Sequence, residues 1–116
     1  MKEPRNCVLW KNPERVLARD GPNILEIVET YEDESHWMQR LLKCRECGQL
    51  YYYEFYEFID WEDGRDPQYR TWIPVESPDE ADRLKKTHMM DLLGVFPRLQ
   101  SDFPKDADAP LLRWVT

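Results

Sequence analysis

Tyr51-Tyr52-Tyr53-Glu54-Phe55-Tyr56-Glu57-Phe58-Ile59-Asp60-Trp61 packs eight aromatic or β-branched residues into eleven positions. Such residues favour a pleated, half-buried surface, so the segment reads as the central strand of a sheet, within a strand over Gln49 to Trp61. Strand geometry divides it into two faces. Tyr51, Tyr53, Phe55, Ile59 and Trp61, with Glu57, form the more apolar set, which is assigned to the core. Tyr52, Glu54, Tyr56, Phe58 and Asp60 form the other. Tyrosines interleaved with carboxylates suit a protein interface, where aromatic anchors supply much of the binding energy and acids complement a basic partner. The competing reading is that a helix or the terminal segment covers this second face too.

The flanks extend the sheet on both sides. Trp37 to Cys44 precedes the aromatic strand across a tight reversal at Cys44 to Gly48, and Ile24-Leu25-Glu26-Ile27-Val28-Glu29-Thr30-Tyr31 forms a first strand ending in the polar turn Glu32 to Ser35. Asp63-Gly64 supplies the next reversal, where a left-handed glycine suits a hairpin, and Gln68 to Val75 is the fourth strand. Ser77-Pro78-Asp79-Glu80 combines a capping box with a first-turn proline, and Gly94 is a natural stop, predicting a helix from Pro78 to Leu93. Its stripe of Ala81, Leu84, His88 and Leu92, with Met89 and Leu93 beside it, should lie on the sheet.

Asn12-Pro13-Glu14 opens a short helix to about Arg19, stopped by Gly21-Pro22. The last residues are rich in Pro and Asp, although Leu111, Leu112, Trp114 and Val115 are apolar enough to dock. The expected fold is therefore a single α+β domain over 1–116: an amino-terminal segment (1–22) with a short helix, an antiparallel four-stranded meander (23–75), a helix (77–94) packed on it, and a carboxy-terminal segment (95–116).

A chain of 116 residues buries roughly two-thirds of its unfolded surface, and five Trp and six Tyr argue against disorder despite 34% charged residues. No apolar run reaches the roughly 18 to 20 residues of a membrane span, the first residues lack the apolar core of a secretion signal, and three cysteines make a poor disulfide framework. Cytoplasmic residence without membrane contact is the expectation. The net charge of −7 is concentrated between Glu26 and Asp63, where eleven carboxylates face only Arg40, Lys43 and Arg45, a local charge of −8. That stretch repels phosphate backbones, so no direct nucleic-acid binding is expected, and it speeds association with a basic partner. Acidic surfaces also serve solubility.

Cys44-x-x-Cys47-Gly48 between two strands resembles the knuckle of zinc ribbons and rubredoxin-like modules, in which two thiolates converge on one metal. A zinc ribbon supplies a second knuckle to complete four-coordinate zinc, and none is present here. His36 lies eight residues before Cys44, roughly 25 Å away along an extended strand, which disfavours it. Cys7 and His88 are free to approach, so the candidate ligands of one structural zinc are Cys7, Cys44, Cys47 and His88. Against this stand the readings of Cys7 as a small buried hydrophobe and His88 as a hydrogen-bonded core histidine.

Asp60 to Asp66 is rich in carboxylates, but Gly64 stands where an EF-hand needs an oxygen ligand and no Glu closes a twelve-residue loop. Walker, nucleophile-elbow, HExxH and dinucleotide-binding patterns are missing, and two His and three Ser leave few actors for hydrolysis. The chain is thus expected not to be an enzyme; a thiol-based or metal-dependent one rests on the cysteines alone. In size, acidity and lack of catalytic groups it is similar to bacterial immunity proteins of polymorphic-toxin and contact-dependent inhibition systems. That likeness implies a non-catalytic inhibitor whose partner is a basic protein, such as a toxin nuclease domain. The alternative is a zinc-knuckle interaction module in a nucleic-acid or transcription complex.

Overall fold

Antiparallel pairing of strands adjacent in sequence needs only short reversals, and this chain uses that connection throughout. In the computed structural model, which describes residues 2–116, β1 (Leu25–Glu34), β2 (Trp37–Cys44), β3 (Leu50–Glu57), β4 (Gln68–Val75), β5 (Arg98–Phe103) and β6 (Leu111–Val115) form one sheet in the order β1-β2-β3-β4-β5-β6. Gly48 (φ 82°) and Gly64 (φ 66°) supply the left-handed backbone that two of the reversals require. The α+β class holds, but the expected four-stranded meander is corrected to six strands. The residues after 95 add two strands rather than a docked tail. They were hidden because Arg98-Leu99-Gln100-Ser101-Asp102-Phe103 carries polar residues at inward-facing positions, with Pro97, Pro104 and Pro110 punctuating the segment.

Both faces of the sheet are covered. On one, Leu42, Cys44, Tyr51, Trp72 and Leu99 pack against Cys7, Leu9 and Val16 from the amino-terminal segment, which holds α1 (Val8–Lys11) and α2 (Pro13–Val16). This segment reaches across to β6, where the Trp114 indole donates to the Leu9 carbonyl at 3.1 Å and its ring meets that of Trp10 at a tilt of 48°, centroids 4.7 Å apart. On the other face, Leu41, Tyr52, Ile73 and Val75 pack against Ala81, Leu84 and Leu92 of α3 (Pro78–Lys85) and α4 (Met89–Leu92). The single helix expected over Pro78 to Leu93 is therefore two. The Thr87 hydroxyl donates to the Arg83 carbonyl, competing with the helical ladder, and His88 is extended (φ −60°, ψ 143°) before α4 begins.

The double cover corrects the two faces assigned to β3. Tyr52 is 0% exposed and Glu54 3%, so neither offers its side chain to a passing partner on an open surface. β3 also ends at Glu57 instead of Trp61, and Ile59 and the 87%-exposed Trp61 lie outside the core. The strand stops because Asp60 turns its carboxylate on the chain ahead: Oδ1 accepts from the amides of Glu62 and Asp63, and Oδ2 from that of Arg65. Lys105 pins this loop through Asp60 (3.1 Å) and Asp63 (2.9 Å), so the Asp60 carboxylate is already engaged.

Candidate functional site

The reversal after β2 sets two thiols side by side. Gly48 N–H donates to the Cys44 carbonyl at 2.8 Å and Cys44 N–H to the Gln49 carbonyl at 2.9 Å, closing a tight turn that turns Cys47 back toward Cys44. Cys7, held by its amide's bond to the Pro4 carbonyl, comes down on them from the amino-terminal segment. The three sulfurs lie within 4.8 Å of one another, and the group could hold a metal ion. Cys7 and Cys44 are buried and Cys47 is exposed. A cleft of about 400 Å³ opens beside Cys7 and Cys47, giving outside ligands access.

The surroundings fit a thiolate-bound cation. Burial works to raise Cys44, yet the amides of Cys47 and Glu46 and the thiols of Cys47 and Cys7 pull it below the ordinary cysteine range. Burial instead pushes Cys7 up to about 11, so it stays a neutral thiol until a bound cation displaces its proton. The Tyr51 hydroxyl, buried beside Cys7, has no well-formed hydrogen bond among the described residues. Such an orphan costs about 1–3 kcal/mol, and a metal-bound Cys7 thiolate is an acceptor that would satisfy it. His88 does not belong to this group. It sits on the helix-covered face, where its Nδ1 accepts from the Met90 amide and its ring acts on the charge of Glu54. His36 is also elsewhere, 2.7 Å from Glu57.

The helix-covered face carries a second constellation. Strand register aligns Glu32, Gln39, Glu54, Thr71, Gln100 and Arg113 in one row across all six strands, and the four central members are buried. The neighbouring row runs Glu34, Trp37, Tyr56, Tyr69, Asp102 and Leu111. α3 covers the apolar positions on the far side of the polar row, while α4 stands beside the aromatic one. Between them lies a groove of about 330 Å³, with Glu54, Thr71 and Gln100 at its base, Tyr56, Phe58 and Tyr69 along one wall, and Met89 and Met90 along the other. Tyr56 and Phe58 line this groove, whereas Tyr52 is buried beneath it.

Glu54 is the unusual member. Tyr52 Oη and Gln39 Nε2 both donate to its Oε1, while Oε2 has no hydrogen-bond partner and the carboxylate no ion-pair partner among the described residues. Burial raises its pKa above the ordinary 4.5, outweighing those two bonds. A raised folded value means that ionised Glu54 burdens the native state, and the burden lifts as pH falls through that value toward 4.5. Glu54→Gln is therefore expected to be more stable than the parent at neutral pH, with the gap closing toward pH 4.5. Urea unfolding of both proteins across that range checks this; a constant gap, or a less stable variant at neutral pH, would refute it.

The open edge at β1 is the third feature. Irregular register at Ile27/Glu29 and Thr30/Glu32 keeps Glu26, Glu29, Glu32 and Glu34 opposite Lys43, Leu41, Gln39 and Trp37, all on the helix-covered side. Without those bulges, strict alternation would send Glu29 to the opposite face from Glu26. Glu26 faces Arg45 at 3.7 Å, but Glu29, Glu32 and Glu34 have no ion pair among the described residues. Ile27 (55% exposed), opposite Leu42 on the other face, and Val28 (50%), at the first bulge, lie on the same edge strand. The polar row and this one-sided ridge were not foreseen. Their signal was present in Gln39, Thr71 and Gln100, polar residues at alternating positions that a core-facing strand would fill with apolar ones.

No protein-family model matches the chain, and neither a curated protein nor a solved structure does. None of these comparisons supports the resemblance to immunity proteins. Among the described residues, no helix is long and apolar enough to cross a membrane.

Proposed function

We propose that the chain is a non-catalytic binding protein that captures a basic partner protein, with an immunity protein covering a toxin domain as the closest functional class. The observation that carries this reading is the β1 edge, where two bulges gather four glutamates on one side of a strand that pairs with a neighbouring strand along one border only among the described residues. A partner strand can add to such an edge through main-chain bonds while its Lys and Arg side chains meet the glutamates. One zinc ion held by Cys7, Cys44 and Cys47 serves this reading as a brace, fastening the amino-terminal segment to the sheet. The zinc-knuckle module of a nucleic-acid complex draws support from the same thiols, but the acidic edge favours a protein partner.

The test compares the immobilised parent with the double variant Glu29→Lys, Glu32→Lys in capture from the source lysate at low salt, followed by identification of the retained protein and its association kinetics. The expected result is a basic protein retained by the parent, associating at least about tenfold more slowly with the variant, the difference shrinking as salt is raised. Equal association rates would remove β1 from the interface. Retention of nucleic acid in place of a basic protein would favour the knuckle module.

A further inference from the structure

We infer that the groove between α4 and the aromatic row receives the side chain of a lysine from the basic partner, its ammonium group meeting Glu54 and its alkyl stem lying among Tyr56, Phe58, Tyr69 and Met90. This inference deepens the partner-capture reading and rests on it.

Three independent features converge on a cationic occupant. Glu54 is a buried carboxylate whose free oxygen, Oε2, belongs to a groove-lining residue, and removing a carboxylate from water without a cation beside it is unfavourable. The nearby cations are otherwise engaged: Arg113 pairs with Asp102 at 2.9 Å, and Arg98 donates to the carbonyls of Leu93 and Val95 and to Gln100. His88 makes no ion pair with Glu54 among the described residues, and its Nδ1 accepts from the Met90 amide.

The wall supplies the second feature. Tyr56 and Phe58 stack at 6.4 Å with 15° between their planes, and Phe58 meets Tyr69 edge-on at 5.8 Å and 69°. These rings line the cleft and give the alkyl stem of a lysine an apolar wall that keeps water from its charged end. Trp37 stacks on Tyr56 from the far side at 6.0 Å and fixes that ring in place. The third feature is size and lining. About 330 Å³ between aromatic rings and the flexible thioethers of Met89 and Met90 suits an unbranched alkyl chain, since methionine adapts to irregular apolar shapes.

Lysine is favoured over arginine because the base of the groove offers one open carboxylate oxygen, which meets a point charge well and a planar two-pronged donor poorly. Tyr52 and Gln39 hold the other oxygen in place, so the acceptor is fixed before the cation arrives.

The experiment is an NMR titration of the full chain, observing methionine methyl and aromatic ring signals, with N-acetyl-lysine amide as the probe and neutral N-acetyl-norleucine amide as control. Saturable shifts at Met89, Met90, Tyr56, Phe58 and Tyr69 are expected with the lysine probe. Affinity should fall at least about tenfold with norleucine and, equally, with the lysine probe on Glu54→Gln. Equal affinity for both probes would mean a merely apolar groove and overturn the inference. So would shifts spread over the β1 glutamates instead of the groove, or no shifts at all. Failure here with β1-dependent capture intact would overturn the groove alone; lysine binding with no basic protein captured would uphold the groove and overturn the wider reading.

Discussion

Replacing Tyr52 by alanine is expected to lower stability by about 3–5 kcal/mol, enough to unfold much of a marginally stable domain at physiological temperature. The ring is wholly buried in the cluster formed by Leu41, Ile73, Ala81, Leu84 and Leu92, and it sits directly under α3. Its hydroxyl also donates to Glu54 and accepts from Gln39, so truncation removes the packing and strips a bond from a buried carboxylate together. Tyr52→Phe separates the two effects. It keeps the ring and is expected to lose only about 1–3 kcal/mol through the weakened support of Glu54. Urea unfolding of both variants is the measurement; a Tyr52→Ala protein as stable as the parent would show that the residue is not core.

Chelation of a structural zinc ion is expected to have an effect of similar size. A site occupied at a hundredfold excess over its dissociation constant contributes about 2.7 kcal/mol, and a loss of that size lowers Tm by on the order of 10 °C in a domain of this length. Elemental analysis should find one zinc per chain in the parent and none in Cys44→Ala, which removes the buried sulfur that receives two amide bonds. His88→Ala should keep its zinc, because that side chain lies on the other face of the sheet. A metal-free parent whose melting is indifferent to chelator would leave the thiols as packing. Zinc loss in His88→Ala would reinstate the four-ligand site.

Much of the fold was legible because β1 to β4 obey local rules. Their residues have strand character, their turns carry Gly48 and Gly64, and Ser77 caps α3 by accepting from the Glu80 amide as its motif requires. What stayed hidden depended on long-range contacts. β5 pairs polar side chains with a polar row already present on β4, so its inward face looks like a surface until Thr71 donates to Gln100. The Pro78 to Leu93 pattern reads as one helix because periodicity does not register the Thr87 hydroxyl's pull on the backbone. In the site, Cys44 and Cys47 were marked by spacing. Cys7 was a candidate only because nothing confined it, and His88 was carried along by the same freedom. The bulges of β1 have no such mark, and they alone decide where Glu29 and Glu32 point.

The amino-terminal segment runs from the thiols beside β2 to the Trp114 indole on β6, on the far side of the sheet. Mechanically it is a strap laid across the grain. An open meander loaded at its last strand would peel away one hydrogen bond at a time, like a zip. Here β6 cannot lift without dragging on Leu9 and Trp10, whose segment is anchored four strands away, so a tug at one border is shared by the whole width of the sheet.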